Sequence, residues 1–209
     1  MNKTWIVSIL LAGAAAFAVP AGAVWAENEP VPAAAEGEVM DHPALIIRRL
    51  HKLTQEKKYT EIVALATEAV RRYPEEPVFY AARCNAYVQL DQLEKGVADA
   101  SAVIRLRPEE NLHYVIRGML YGDMGRYEAA ISDYETARKL AGRENSSGVS
   151  LQVINEMELG DLYRYGKNAL ENGDAKKAIA LSGRMLAIDP DSAKAHALKE
   201  EAEKKLGNL

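Results

Sequence analysis

The residue types that most often carry catalysis or metal binding are sparse and scattered in this sequence. Its four histidines, His42, His51, His113 and His196, have no second histidine or cysteine at the spacing that a metal site requires. No serine stands in a Gly-x-Ser-x-Gly elbow, and no glycine-rich loop follows a predicted strand. We therefore expect no enzyme activity, no cofactor and no bound metal.

Cys84 is the only cysteine in the chain, so no intramolecular disulfide can form. A lone cysteine is either a reactive or intermolecular thiol, or a small residue that fills space in a core. The place of Cys84 in the repeat described below favours the buried alternative.

Two arginine–aspartate pairs recur with the same separation. Arg83 and Asp99 are 16 residues apart, and so are Arg117 and Asp133. This pattern predicts an ion pair between two helices, partly buried and therefore in need of mutual satisfaction. The alternative is that the arginines reach out to bind the carboxylate of a ligand.

The same residue types recur every 34 residues along much of the chain, as at Pro74 and Pro108 or Tyr80 and Tyr114. A further copy follows after 48 residues, which is one period with a 14-residue insertion. A fixed period of this length indicates stacked structural repeats. The repeats cover residues 43–76, 77–110, 111–144 and 159–192, and a capping helix follows at 193–207.

The third repeat resembles the tetratricopeptide repeat, whose pattern of aromatic and small residues appears as Tyr114, Gly118, Tyr121, Ala130 and Tyr134. The resemblance extends over residues 43–209. It implies an all-α fold, a right-handed α-solenoid of about four helix-turn-helix repeats that ends in a C-terminal capping helix.

Each repeat is then a pair of antiparallel helices, and its small residues have defined places. Cys84, Gly118 and Gly166 are expected where the first helix of a repeat comes closest to the second. Gly125 and Gly173 are expected at the turn between the helices, where a residue with positive φ ends the first helix.

The insertion before the fourth repeat begins with turn-forming residues at 145–148 and continues as a helical pattern. We expect a short loop followed by a first helix that is about two turns longer than the others. Such a helix could protrude to contact a partner or a second copy, or the insertion could be merely tolerated.

The resemblance also implies a concave groove lined by the first helices, where a protein or peptide binds. The family's basic clamp for a C-terminal carboxylate is not implied, because Ile47, Ala82 and Leu112 stand in its places. The alternative function is a structural self-assembly module of the cell envelope. The expected groove residues are His51, Gln55, Ala81, Asn85, Gln89, Val115, Met119, Asp123, Tyr163, Lys167 and Glu171.

The N-terminus has the three parts of a secretory signal peptide: Lys3, an apolar stretch at 5–19, and small residues at 23–26. We expect cleavage after Ala26, or after Ala23, and a flexible tether at 27–42 in a periplasmic or secreted protein without a membrane anchor. Removal of residues 1–26 leaves 25 basic and 30 acidic residues, a net charge of −5. No basic tract is present, so we expect no nucleic-acid partner.

Overall fold

A computed structural model describes residues 42–143 and 148–207. The predicted signal peptide at 1–26 and all but the last residue of the predicted tether at 27–42 lie outside the described residues. Within the described part of the chain, no helix combines the length and the apolar character needed to cross a bilayer. That part contains nine helices: α1 Pro43–Gln55, α2 Tyr59–Arg72, α3 Pro77–Gln89, α4 Leu93–Leu106, α5 Asn111–Asp123, α6 Tyr127–Ala141, α7 Leu151–Glu171, α8 Ala175–Ile188 and α9 Ala193–Gly207.

The described residues divide into two compact units, one that ends at Glu109 and one that begins at Glu110. In the first unit, α1–α2 and α3–α4 form helical hairpins, and α2 packs against α3. In the second unit, α5–α6 and α7–α8 form hairpins, α6 packs against α7, and α9 packs against α8. The predicted all-α helical repeat fold is confirmed.

The first repeat differs from the others in the size of the side chains where its two helices meet. Leu50 and Ile62 stand where the other repeats carry small residues, and both are buried. Burial of a large apolar side chain contributes about 1.5–3 kcal/mol to folding. One hydrophobic cluster in the core of the first compact unit consists of Ile46, Leu50, Leu53, Ile62, Ala66, Ala69, Phe79 and Ala86.

The turn between the two helices of a hairpin has the same geometry in all four repeats. Lys57, Asp91, Gly125 and Gly173 occupy equivalent positions, and their φ angles are 56°, 61°, 72° and 79°. In each turn a backbone N–H bonds back five residues to a carbonyl, as from Arg126 N to Tyr121 O at 2.8 Å. This is the Schellman arrangement, which satisfies carbonyls that the end of the helix leaves free. The predicted positive φ at both glycines is confirmed.

Small residues let the helices of a hairpin approach closely in the second and third repeats. A Cβ atom on Gly118 would lie 2.9 Å from Cε1 of Tyr134 and 3.2 Å from the carbonyl oxygen of Ala130. The buried Cys84 thiol donates to the carbonyl of Gly96 at 3.3 Å, and burial raises its pKa to about 12. A thiol with this pKa is protonated and unreactive at neutral pH, as the buried alternative requires.

Gly166 behaves differently from the prediction. The side chain that a Cβ atom at Gly166 would meet is Leu198 of α9, and no atom of α8 is among the nearest neighbours. The glycine therefore makes room for the capping helix, because α9 packs across the hairpin where a fifth repeat would begin.

The capping helix α9 buries Ala195, Leu198 and Ala202 against the fourth repeat. Leu206 continues the spacing of this stripe by one turn, but it is 37% exposed. It lies in the last turn of α9, one residue before the helix ends at Gly207.

The turn geometry gives a matched pair of stability predictions. Gly125→Ala places a Cβ in the left-handed region and should lower the free energy of unfolding by about 1–2 kcal/mol. Lys57→Gly removes the same conflict and should raise it by up to about 1 kcal/mol. Urea denaturation followed by circular dichroism measures both. Equal destabilisation by the two substitutions would show that φ at this position does not limit stability.

Candidate functional site

The predicted arginine–aspartate pairs are present, and each joins the two helices of one hairpin. Nε and Nη2 of Arg83 donate to the two carboxylate oxygens of Asp99 at 2.9 and 2.7 Å. Arg117 binds Asp133 in the same way at 2.8 and 2.7 Å. Because both carboxylate oxygens are engaged and the aspartates are buried, the guanidinium groups serve the hairpin. The ion-pair interpretation is confirmed, and these arginines are not free to bind a ligand carboxylate.

Tyrosine rings flank each of these arginines on the same helix. Tyr114 and Tyr121 lie three residues before and four residues after Arg117, and each ring centroid is 5.9 Å from its guanidinium carbon. Tyr80 and Tyr87 stand in the same relation to Arg83, at 5.8 and 6.0 Å. Residues at these spacings share one face of a helix, so sequence spacing alone assembles the cation–π cluster.

The fourth repeat replaces the ion pair with apolar residues. Tyr165 and Leu181 stand at the positions equivalent to Arg117 and Asp133, and both are buried. The hairpin therefore forms with either set of residues. This agrees with a structural role for the ion pair, because apolar residues of similar size can replace a buried pair that only joins two helices.

Most of the polar groove residues expected in the second compact unit already contact other side chains of that unit. Nζ of Lys167 binds both carboxylate oxygens of Glu201 at 2.9 and 3.1 Å, and Asp123 accepts from Arg164 at 3.2 Å. The Tyr163 ring lies 5.8 Å from Nζ of Lys194, and Glu171 is exposed.

Two residues of the same set correct the prediction. Val115 and Met119 of α5 were expected to offer apolar contact to a partner, but they are 0% and 5% exposed. A side chain with no accessible surface cannot contact a partner in this structure. The repeat pattern assigns them to the groove because it assumes the same helix register in every repeat.

The register between α5 and α7 differs from that assumption. In the repeat alignment Gly122 of α5 is equivalent to Leu170 near the end of α7. In the structure Gly122 instead lies beside Asp161, nine residues earlier on α7, and a Cβ atom on Gly122 would overlap the Asp161 carboxylate. Near the start of α5, the side-chain amide of Asn111 donates to the Val149 carbonyl at 2.9 Å and accepts from the Val149 N–H at 2.8 Å. The inserted turns of α7 therefore lie along α5. The predicted longer helix is present, with 21 residues against 13 in α5, and it is held within its unit.

Two buried carboxylates fix the inserted turns of α7 in place. Asp161 accepts from the Tyr134 hydroxyl at 2.9 Å and pairs with Arg164, and Glu158 pairs with Arg138. Burial raises the pKa of both carboxyl groups, and the arginines oppose the shift. Sequence reasoning missed this cluster because its members come from separate helices with no shared spacing.

The expected groove residues of the first compact unit present a different picture. His51 and Gln55 of α1 are exposed, and their side chains bond to each other at 2.9 Å. The amides of Asn85 and Gln89 on α3 are half-buried and make no hydrogen bond within residues 42–143 and 148–207. Ala81 is 9% exposed, which corrects its assignment as a contact residue, because its methyl group belongs to the core.

Three further residues of α1 lie next to the exposed His51 and Gln55, and the groove pattern did not include them. Ile47 is 36% exposed and lies one turn before His51, and Arg48 and Lys52 form the neighbouring row on the helix. The buried stripe of α1 is on the opposite side, at Ile46, Leu50 and Leu53. The α1–α3 face is the surface formed by Ile47, Arg48, His51, Lys52, Gln55, Asn85 and Gln89.

The remaining histidines have structural positions. His42 caps α1 through Nδ1, which accepts from the Ala44 N–H at 3.3 Å, and Nε2 of His196 lies 3.0 Å from the Pro190 carbonyl oxygen. His113 is buried, and burial lowers its pKa to about 4. In the described ranges no three His, Cys, Asp or Glu side chains form a group suited to a metal ion.

Comparison with known proteins supports a helical repeat fold. The model of the family described as tetratricopeptide repeat matches residues 114–142. The chain is similar in structure to MamA, with a TM-score of 0.52 and 15% identity over 78% of this chain and 87% of that one. It is also similar to the Sgt2 TPR domain from Aspergillus fumigatus, with a TM-score of 0.51 and 19% identity over 62% and 81% of the two chains.

A tetratricopeptide repeat protein from Parabacteroides merdae has a TM-score of 0.51 and 18% identity, over 79% of this chain and 60% of that one. No curated protein matches the chain. At these identities the likeness concerns the fold, which agrees with the hairpins described above.

We expect that loss of one partner of an ion pair lowers the free energy of unfolding, and that replacement of both partners by apolar residues restores most of it. Asp133→Ala leaves the half-buried guanidinium of Arg117 without its partner and should cost about 3 kcal/mol of unfolding free energy. Adding the residues of the fourth repeat, as Arg117→Tyr with Asp133→Leu, should recover most of that loss. The control Glu128→Ala removes an exposed partner of Lys177 and should cost less than about 1 kcal/mol. Urea denaturation of the three variants tests this, and an Asp133→Ala variant as stable as the parent would contradict it.

Proposed function

We propose that this chain, whose residues 114–142 match the tetratricopeptide repeat model, is an adaptor that binds a segment of another protein on its α1–α3 face. Stacked helical repeats are generally non-catalytic and serve to present an extended surface to a protein or peptide. The chemistry of the described residues agrees with such a function, because every strongly perturbed group has a packing or pairing role in its own hairpin or unit.

The observation that carries the proposal is the contrast between the expected groove residues of the two compact units. In the second unit, Val115 and Met119 are buried, and Asp123 and Lys167 are ion-paired. In the α1–α3 face, the amides of Asn85 and Gln89 have no partner among the described residues and are accessible to solvent. An incoming peptide can bond to these two amides without breaking any existing contact.

The spacing of the amides suits an extended peptide. Asn85 and Gln89 are one helical turn apart, a rise of about 6 Å. Alternate residues of an extended chain are about 6.6 Å apart, and their backbone groups point to the same edge. The two amides can therefore bond to the backbone groups of two alternate residues of the peptide, one amide to each residue. A net gain of about 0.5–1.5 kcal/mol for each hydrogen bond makes the interaction moderate in strength and reversible.

Photo-crosslinking tests this assignment. A photoreactive amino acid at Gln89 should give a crosslinked product with a second protein in cells that make the full chain. The same amino acid at Asn168 of α7, an exposed amide position of the second unit, should give much less. Crosslinks between two copies of this chain would instead support the self-assembly alternative, and equal yields at both positions would count against the α1–α3 face.

We also propose that the adaptor acts outside the cytoplasm, in the periplasm or as a secreted protein. The support is the order of Lys3, the apolar stretch at 5–19 and the small residues at 23–26, which a signal peptidase recognises. No cysteine lies near the expected cleavage site, so lipid attachment there is not expected.

The proposed export predicts the mature N-terminus. Protein isolated from its native cells should begin at Glu27, or at Val24 if cleavage follows Ala23, as determined by N-terminal sequencing or intact mass. A large side chain at the cleavage site should block processing, so Ala26→Phe should accumulate as the full-length precursor. Detection of Met1 at the N-terminus of the native protein would overturn the proposal.

A further inference from the structure

The charges of the α1–α3 face are uneven in a way that points to the chemistry of its partner. Neither α1 nor α3 contains an aspartate or glutamate between its first and last residues, whereas α2 and α4 carry both signs of charge. The chain as a whole has a net charge of −4. The first helices of this compact unit are therefore basic within an acidic protein.

The two cations of this face, Arg48 and Lys52, lack close partners, unlike the two neighbouring arginines at the end of α2. Arg48 makes no ion pair or hydrogen bond within residues 42–143 and 148–207, and Lys52 approaches Glu56 only at 4.0 Å with 68% of its side chain exposed. By contrast, Arg71 and Arg72 of α2 both bond to Glu68, at 2.7 and 2.8 Å. Arg48 and Lys52 are thus available to an external anion without loss of an existing short contact.

We propose that the α1–α3 face binds an extended acidic peptide of a partner protein, with carboxylate side chains two residues apart. This inference rests on the proposed function and adds the chemical class of the partner. Arg48 and Lys52 are separated by one turn, about 6 Å along α1. Carboxylates at alternate positions of an extended chain are about 6.6 Å apart on one side, so each can meet one cation.

The rest of the face supplies the other contacts that such a peptide needs. Asn85 and Gln89 lie on α3, which packs beside α1, and their amides can bond to the peptide backbone. Ile47 offers the apolar surface for a neighbouring aliphatic side chain of the peptide. Arg83 of α3 contributes no attraction of this kind because Asp99 already neutralises it.

Recognition of side-chain carboxylates makes the proposal specific. A peptide with an amidated C-terminus should bind as well as a free one, because no cation of the face is arranged to hold a terminal carboxylate. The attraction is between groups near the surface, so it should weaken as the salt concentration rises.

Fluorescence anisotropy with the mature chain, residues 27–209, tests the inference. The probe is a labelled, C-terminally amidated peptide, Ser-Val-Glu-Ser-Glu-Val-Ser, and its control has Gln in place of both Glu residues. We expect the acidic peptide to bind about tenfold more tightly than the control peptide, and Arg48→Gln with Lys52→Gln to remove that difference. The matched control is Arg71→Gln with Arg72→Gln, which removes the same charge from α2 and should leave binding unchanged.

Three outcomes would overturn the inference. The first is equal affinity for the acidic peptide and the glutamine peptide. The second is an equal loss of affinity for the acidic peptide in the α1 double variant and in the α2 double variant. The third concerns Glu36 and Glu38 of the chain itself, which have the same alternate spacing. If the probe binds only after Glu36→Gln with Glu38→Gln, the chain's own N-terminal segment is the occupant. Crosslinking of a partner at Gln89 without binding of the acidic probe would leave the adaptor function intact and refute only the charge class.

Discussion

Two helices joined by a short turn cannot cover their own apolar surface, and this constraint shapes the rest of the molecule. The second helix of one hairpin must pack against the first helix of the next, as α2 packs on α3 and α6 on α7. In the second and third repeats the two helices also approach closely, because small residues such as Gly118 lie at the helix contact. All four hairpins are closed by the same turn, with a left-handed residue at the same place in every repeat.

Charged groups inside the hairpins serve the same requirement. Arg117 is neutralised by Asp133 from the facing helix and flanked by two tyrosine rings of its own helix. A buried charge pair of this kind contributes little net stability compared with apolar residues, which is consistent with its replacement by Tyr165 and Leu181 in the fourth repeat. What the pair does provide is a fixed distance and orientation between the two helices, because a bidentate contact has few acceptable geometries.

The insertion before the fourth repeat explains why the two compact units differ as binding surfaces. The inserted turns of α7 lie along α5 and are held by Asn111 and by the buried carboxylates of Glu158 and Asp161. Asn111, Glu158 and Asp161 are engaged by groups of their own unit and are therefore not available to a partner. The first compact unit has no insertion, so the polar groups on its first helices keep their access to solvent.

The sequence by itself determined the features that depend on local spacing: the 34-residue period, the helical hairpins, the turn glycines, the buried place of Cys84 and the two Arg–Asp pairs. Each of these is set by residues that lie within one hairpin, where the helical period decides which side chains meet. Only the tertiary structure decided which groove positions are accessible. The burial of Val115 and Met119, the place of Leu198 over Gly166 and the cluster around Asp161 depend on how separate helices pack. The 14-residue insertion changes that register, and the repeat pattern carries no information about its new value.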